Sequence, residues 1–552
     1  MNWAPARTIR RWFDSEQGVP DRHISRWIFL RALGLIYFSA FYSLLFQIRG
    51  LIGPRGILPA GQYLSQVAAG LGPLRFWYAP TMLWLSSSSH MLLAICWVGI
   101  VASLLVAANV WPRAMLVVCF VCFLSFVSAA GDFSGYQSDG MLLEAGFLCL
   151  FFAPAGFFPG WGRRSPPIRA SQFLLLWEWF RIYFESGVVK LASGDPQWRH
   201  LTAMDQYYQN GPLPTWIGWY VQHLPHWFQA STVVATLALE LVLVWMLFLP
   251  RCWRIVCFFI VTPWQIVVIL TANYAFLNYI VLALGFLLLD DRFLMRFVPA
   301  RWRFPVAADN EAATENESAP ERAADETPAS AQTSRLRQHV RSAGLAATAV
   351  VLGWIFYATT VPMLQMFWRG IPLPTAPLTA LQPFRIANQY GLFAVMTPNR
   401  YEIEFQGSDD GQTWIAYPFR NKPQDLAQAP GIYAPYQPRF DWNLWFASLG
   451  SWTQYPIVPR TEELLLTNDP AVLSLFAGNP FPHHPPRMVR AVLWQYWFTT
   501  IDEKRATGEW WRRLLLGAYA PTLAIGPDGK FGIVREAGPA QEATPETMAP
   551  PQ

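Results

Sequence analysis

About nine runs of mostly apolar residues, each near the length of a bilayer crossing, dominate this sequence. A helix needs about 20 such residues to span the hydrocarbon core. The runs fall near 24–48, 90–108, 114–130, 140–158, 171–191, 229–249, 254–271, 274–290 and 343–367, the eighth being the shortest. Composition agrees. Charged residues make up 14% of the chain, against about 25% in a soluble domain, so a water-facing surface everywhere is excluded. The 28 Trp and 39 Phe suit interfacial aromatic belts. Residues 57–87, with Trp77 and Trp84, read as an amphipathic stretch lying in the interface. The expected fold is an α-helical integral membrane bundle followed by a separate β-rich domain.

Arginine placement orients the bundle. Arg7, Arg10, Arg11, Arg22 and Arg26 precede the first run, which is too long for a cleavable signal and reads as an uncleaved first span. Arg113, then Arg163, Arg164 and Arg169, then Arg251 and Arg254, lie in alternate loops on the same side, whereas the other loops hold only Arg49, Arg55, Arg75 and Arg199. The positive-inside rule then puts the N-terminus in the cytoplasm and everything after residue 368 outside it.

The domain plan is a bundle over 1–300, a cytoplasmic linker over 301–340, a ninth span over 341–368, an extracytoplasmic domain over 369–536 and a tail over 537–552. The linker core, 305–334, is rich in Ala, Glu, Ser and Pro and poor in aromatics, a composition expected to stay disordered. In the outer domain, Tyr401-Glu402-Ile403-Glu404-Phe405 alternates at period two, as a strand does. Asp410-Gly411 then signals a hairpin before Tyr417 and Phe419. Short strands with Pro- and Gly-rich turns suggest a β-sandwich with some helix, from Asp441-Trp442 to Phe446 and near 461–477.

Ionisable residues inside a membrane are costly and mark structure or function. Glu178, Arg181 and Glu185 lie on one run, within about 60° of one another on a helix. Asp139 opens the fourth span, Glu144 lies within it, and Glu240 lies in the sixth. This network either pairs internally to fix helix packing or lines a substrate or partner cavity. Glu240 has no sequence-visible partner and reads as a structural hydrogen bonder. Lys190 sits at the outer end of the fifth span, off the stripe.

Other chemistry finds little footing. The six cysteines all lie in or beside apolar runs, so a disulfide-built outer domain is excluded. Cys119 and Cys122 read as small apolar helix residues. There is no Gly-x-Ser-x-Gly elbow, phosphate loop or dinucleotide fingerprint. Pro225 separates His223 from His226, which argues against a helical metal pair. No metal or cofactor is expected, and scattered arginines do not imply nucleic acid.

Several ordered motifs resemble the lipase maturation factor family. They run from Asp139-Gly140-Met141-Leu142-Leu143-Glu144 through Ser186-Gly187 and Lys190-Leu191 to Asp195, Trp198-Arg199 and Tyr208-Gln209. Asn273, Asn278 and Asp290-Asp291 follow, then Tyr390-Gly391-Leu392-Phe393 and Arg439-x-Asp441-Trp442-x-x-Trp445-Phe446. Trp510-Trp511 closes the match, and the whole resembles a bacterial member. The resemblance implies a membrane-anchored folding factor for exported proteins such as lipases, set in the bacterial inner membrane, whose eukaryotic relatives sit in the endoplasmic reticulum. The expected partners are the bilayer and a client protein. Trp442, Trp445, Phe446, Trp510 and Trp511, with Arg439 and Asp441, are the client-binding candidates, and a packed core is the alternative for the aromatic ones. A remoter likeness of 187–198 to vitamin K-dependent carboxylase-type membrane domains implies a second reading. In it, a membrane enzyme is centred on Lys190, with Asp132, Asp139, Arg181, Glu185 and Arg199 as its neighbours.

Overall fold

The computed structural model describes residues 4–304 and 328–535. Most of the expected linker, 305–327, and the tail fall outside the described residues. Five helices are long and apolar enough to cross a membrane: His23–Ile52, Ser89–Ala107, His226–Phe248, Arg251–Thr271 and Gln338–Phe367. Pro112–Val127 and Leu277–Leu288 are shorter apolar helices. The protein is therefore a multi-pass membrane protein.

We label the helices that carry the argument α1 (His23–Ile52), α2 (Ser89–Ala107), α3 (Pro112–Val127), α4 (Gln137–Phe152) and α5 (Arg169–Ala192). After them come α6 (His226–Leu241), α7 (Arg251–Thr271), α8 (Leu277–Gly285) and α9 (Pro328–Phe367). The α9 helix starts at Pro328, inside the 301–340 segment expected to lack structure. Helix-forming Ala, Gln and Arg in 329–340 extend the apolar run backwards, so the helix begins before its apolar part. Between α1 and α2, the expected interfacial stretch forms a helix, Ala60–Leu71, and short turns that leave Trp77 exposed and Trp84 half-buried.

Small residues set the bundle's close contacts. A Cβ on Gly34 of α1 would lie 2.7 Å from the backbone nitrogen of Ala107 on α2. Without a hydrophobic drive between helices in lipid, such approach is what van der Waals packing needs. At one end of the bundle Asp291 caps α1, accepting from the backbone N–H groups of His23 (2.9 Å) and Ile24 (2.8 Å). Arg22 donates to the carbonyl of Leu289 at 2.6 Å and Arg26 to that of Ser165 at 2.6 Å. These buried arginines close the arginine-rich end.

The C-terminal domain lies at the other end. Its described strands form one antiparallel sheet: β1 (Arg400–Ser408), β2 (Ile415–Ala416), β3 (Met488–Phe498), β4 (Trp511–Ala518), β5 (Thr522–Ile525) and β6 (Phe531–Arg535). The order is β2-β1-β3-β5-β6, with β4 also pairing β3. A sandwich needs two stacked sheets. Here helices α10 (Arg439–Ser448) and α11 (Ile457–Leu465) supply much of the packing instead. The alternation in β1 is real, but its polar face is not wet. Glu402 is buried between Arg400 and Lys422, and Glu404 pairs with Arg513 at 3.2 Å. Gly411, at φ +72°, makes the turn between β1 and β2, as the Asp-Gly signal requires.

Candidate functional site

Three groups of buried polar connections hold the sheet domain to the bundle, beside smaller ones such as Gln47 to the Gln437 carbonyl at 2.9 Å. In the first, Arg439 of α10 grips the first turn of α4. Its two terminal nitrogens donate to the Asp139 carboxylate at 2.8 and 2.7 Å, and one also donates to the carbonyl of Phe133 at 2.7 Å. Both side chains are fully buried. The pair is bidentate, the geometry in which a buried ion pair holds, although the Arg439 Nε has no acceptor among the described residues. Asn443 donates to the Tyr136 hydroxyl at 2.6 Å, adding a second bond beside it.

The second connection explains the charged stripe of α5. Glu178, Arg181 and Glu185 are buried and face an extended strap of the chain, residues 388–397. Arg181 forms an ion pair with Glu144 of α4 and donates to the carbonyl of Asn388 at 2.6 Å. Glu144 accepts from the Asn388 backbone N–H at 3.0 Å and from the Tyr390 hydroxyl at 2.9 Å. Glu185 accepts from the Tyr390 N–H at 2.7 Å. Further along, Met396 N–H donates to Asp195 at 2.7 Å and Asn210 donates to the Thr397 carbonyl at 2.7 Å. The bundle's side chains thus do for this strap what a neighbouring strand would do, satisfying its buried backbone groups. Gly140 matters here because a Cβ would lie 2.9 Å from the Asn388 side-chain oxygen.

Lys190 belongs to the same run. It is buried, pairs with Glu240 of α6 at 2.9 Å, donates to the carbonyl of Leu392 at 2.9 Å and stands 5.2 Å from the Trp198 ring. Glu240, read as a structural hydrogen bonder with no partner visible in the sequence, takes Lys190 as its partner. Of the neighbours expected for Lys190, Asp139 pairs with Arg439, Arg181 and Glu185 hold Asn388 and Tyr390, and Asp132 and Arg199 are exposed. The amine is committed to a carboxylate and a carbonyl rather than poised as a nucleophile.

The third connection is Arg400 at the start of β1. It donates to the carbonyls of Gln209 (2.9 Å) and Pro212 (3.2 Å), stands 5.4 Å from the Trp511 ring and pairs with Glu402. Asn273, between α7 and α8, donates to the Gly431 carbonyl at 2.8 Å and accepts from the Tyr433 N–H at 2.7 Å.

These connections leave one large open space between bundle and sheet domain, a cavity of about 680 Å³. Trp442, Trp445 and Phe446 all line it, with Tyr274, Phe393 and Leu449. Trp442 and Trp445 are largely buried, whereas Phe446 is 36% exposed. The other aromatic candidates lie elsewhere. Trp511 is core beneath Arg400, and Trp510 packs on Trp219 and Lys504. Asp441 is buried and accepts from Asn421 at 2.7 Å, with burial pushing its carboxyl up to about 6. All six cysteines are free, and Cys119 and Cys122 are buried in α3. His226 pairs with Asp205, and among the described residues no His/Cys/Asp/Glu group has metal-holding geometry.

The family model described as the lipase maturation factor transmembrane domain matches residues 24–296, and that of the lipase maturation factor C-terminal domain matches 386–521. The chain belongs to the lipase maturation factor family. Lipase maturation factor 2 of Gallus gallus is 31% identical, over 94% of this chain and 84% of its own length. Lipase maturation factor 1 of Bos taurus is 31% identical over 91% and 89%, and that of Homo sapiens 30% identical over 91% and 88%. No solved structure matches the chain. The two family domains end and begin on either side of α9, so the Arg439–Asp139 pair is a bond between one lipase maturation factor domain and the other. Asn388, Gln137 and Arg385 were missed as site residues. Their sequence signals are position alone: Gln137 lies in the polar stretch 131–140, and Arg385 and Asn388 stand just before the Tyr390-Gly391-Leu392-Phe393 motif.

Proposed function

We propose that this lipase maturation factor is a membrane-anchored folding factor that holds exported client proteins, lipases among them, against its sheet domain. The relatives that carry the name support the client class. The observation that carries the mode of action is the exposed apolar shelf at the cavity edge: Val395 (68% exposed), Leu449 (43%) and Phe446 (36%). A contiguous apolar surface beside polar walls is what a non-covalent hold on an unfolded chain requires. The membrane-enzyme reading loses its support because Lys190 and the stripe are tied up in holding the strap.

The topology follows the same logic. Nine crossings are obtained if α4 and α5 join the five long helices and the two shorter apolar ones. The arginine-rich flanks and the sheet domain lie at opposite ends of the bundle, which supports a cytoplasmic N-terminus and an extracytoplasmic sheet domain in a bacterial inner membrane.

The test is a gene deletion with exported lipase activity as the readout. Deletion lowers the activity per lipase molecule, the intact gene restores it, and a variant carrying Phe446→Ser and Leu449→Ser, inserted at normal level, does not. Exported lipases of unchanged specific activity in the deletion strain would refute the proposal.

A further inference from the structure

Two chambers lie side by side where the sheet domain rests on the bundle. The larger, about 680 Å³, takes Val268 of α7, Leu277 of α8, Phe393 and Trp445 into its walls. That size falls within the roughly 300–1,000 Å³ of small-molecule sites. The smaller, about 210 Å³, is lined by Gln137, Gln382, Arg385, Asn388 and Gln389. Gly135, Tyr136 and Gln137 belong to both walls. Polarity is thus segregated: an apolar room beside an amide-rich one.

The larger chamber carries one carboxylate, Asp132, in its lining. Arg385 is the only charged residue lining the smaller chamber. It is half-buried, and its Nε is shielded from solvent with no hydrogen-bond acceptor. Among the described residues no carboxylate pairs with it. The Nε atoms of Arg181, Arg400 and Arg439 share this state, so what sets Arg385 apart is its unpaired guanidinium charge facing the chamber, which an anion there would offset. The backbone adds an independent sign. Arg385 (φ +54°) and Phe393 (φ +57°) both hold the left-handed conformation that residues with a Cβ avoid. One lines the polar chamber and the other the apolar one. Such strain persists where the surroundings over-determine a side chain's position.

We propose that the paired chambers hold one anionic phospholipid taken from the bilayer, its phosphate on Arg385 and its acyl chains in the apolar chamber. The membrane is the source because α7, which contributes Val268, also exposes Val267 and Leu270, so acyl chains reach the chamber along an apolar surface. A purely apolar peptide leaves Arg385 unmatched. The Asn388 and Gln137 amides already donate within the protein, so the amides left for a ligand are those of Gln382 and Gln389. The proposal goes beyond the client reading and does not depend on it, since lipid retention is measured with no lipase present.

The full chain, purified in neutral detergent, is incubated with micelles carrying fluorescent phosphatidylglycerol or phosphatidylcholine, washed, and its retained lipid measured. Phosphatidylglycerol is retained stoichiometrically and phosphatidylcholine is not. Arg385→Gln lowers phosphatidylglycerol retention about tenfold, the loss of one charge-assisted contact, and Arg385→Lys restores most of it. Val268→Trp, which fills the apolar chamber, lowers it as well. Equal retention of the two lipids, or no effect of Arg385→Gln in protein with an unchanged unfolding midpoint, overturns the proposal. Displacement of phosphatidylglycerol by equimolar oleate overturns it in favour of a fatty acid. Should Arg385→Gln fail to fold, Val268→Trp and the two-lipid comparison on the unaltered chain decide.

Discussion

Arg439 and Asp139, 300 positions apart in the chain, form a fully buried bidentate ion pair that fastens the sheet domain to the first turn of a bundle helix. Its removal by halves and as a whole should differ. Arg439→Met leaves a buried carboxylate without its cation and costs about 3–5 kcal/mol. Adding Asp139→Leu to it removes the stranded charge and recovers most of that loss. Thermal unfolding of the detergent-solubilised variants measures both, and a double variant as unstable as the single would show that the pair is not an isolated unit.

Lys190 gives a prediction that separates structure from catalysis. Lys190→Met strands Glu240, so the amount of folded protein falls, while Lys190→Met with Glu240→Leu restores it. Lipase maturation per folded molecule is then unchanged in the double variant. Normal folding of the double variant with abolished maturation would revive a chemical role for the amine.

Besides its N–H bond to Glu185, Tyr390 ties the strap to the bundle through its hydroxyl, 2.9 Å from Glu144 and 3.4 Å from Glu178. Tyr390→Phe keeps the ring but leaves a buried carboxylate short of a donor, a loss of about 1–3 kcal/mol. Hydrogen exchange or limited proteolysis across 385–397 should report a loosened strap ahead of any change in the sheet. Unaltered protection there would mean that the backbone bonds of Tyr390 and Asn388 suffice.

Asp441 should make the sheet domain pH-sensitive. Burial raises its carboxyl from 3.8 to about 6, so the folded state holds the proton more tightly than the unfolded chain. The stability it contributes is fully present below pH 3.8 and is lost as pH rises through about 6. Asp441→Asn keeps an acceptor for Asn421 and removes the titration. It should flatten the profile across that window and stabilise the protein above it by roughly 3 kcal/mol. Parallel unfolding profiles for the two proteins from pH 4 to pH 7 would assign the dependence to another group.

Much of this architecture was legible in the residues themselves. Run length gave the long membrane helices, because a bilayer imposes one length scale on any helix that crosses it. Alternation from Tyr401 to Phe405 and the Asp410-Gly411 turn gave the β1–β2 hairpin, because both are local rules. The spacing of Glu178, Arg181 and Glu185 gave a single inward stripe, and the ordered motifs gave the family. What faced that stripe was not legible. Lys190 meets Glu240 fifty positions away and Asp139 meets Arg439 three hundred away. Periodicity says which side of a helix a charge lies on. It says nothing about which distant backbone or side chain arrives there, because that depends on every loop and crossing between them. Only the tertiary structure decided that the stripe binds the chain's own 388–397 strap, that the sheet domain's acidic face is buried in ion pairs, and that Arg385, without a carboxylate among the described residues, stands beside an apolar chamber.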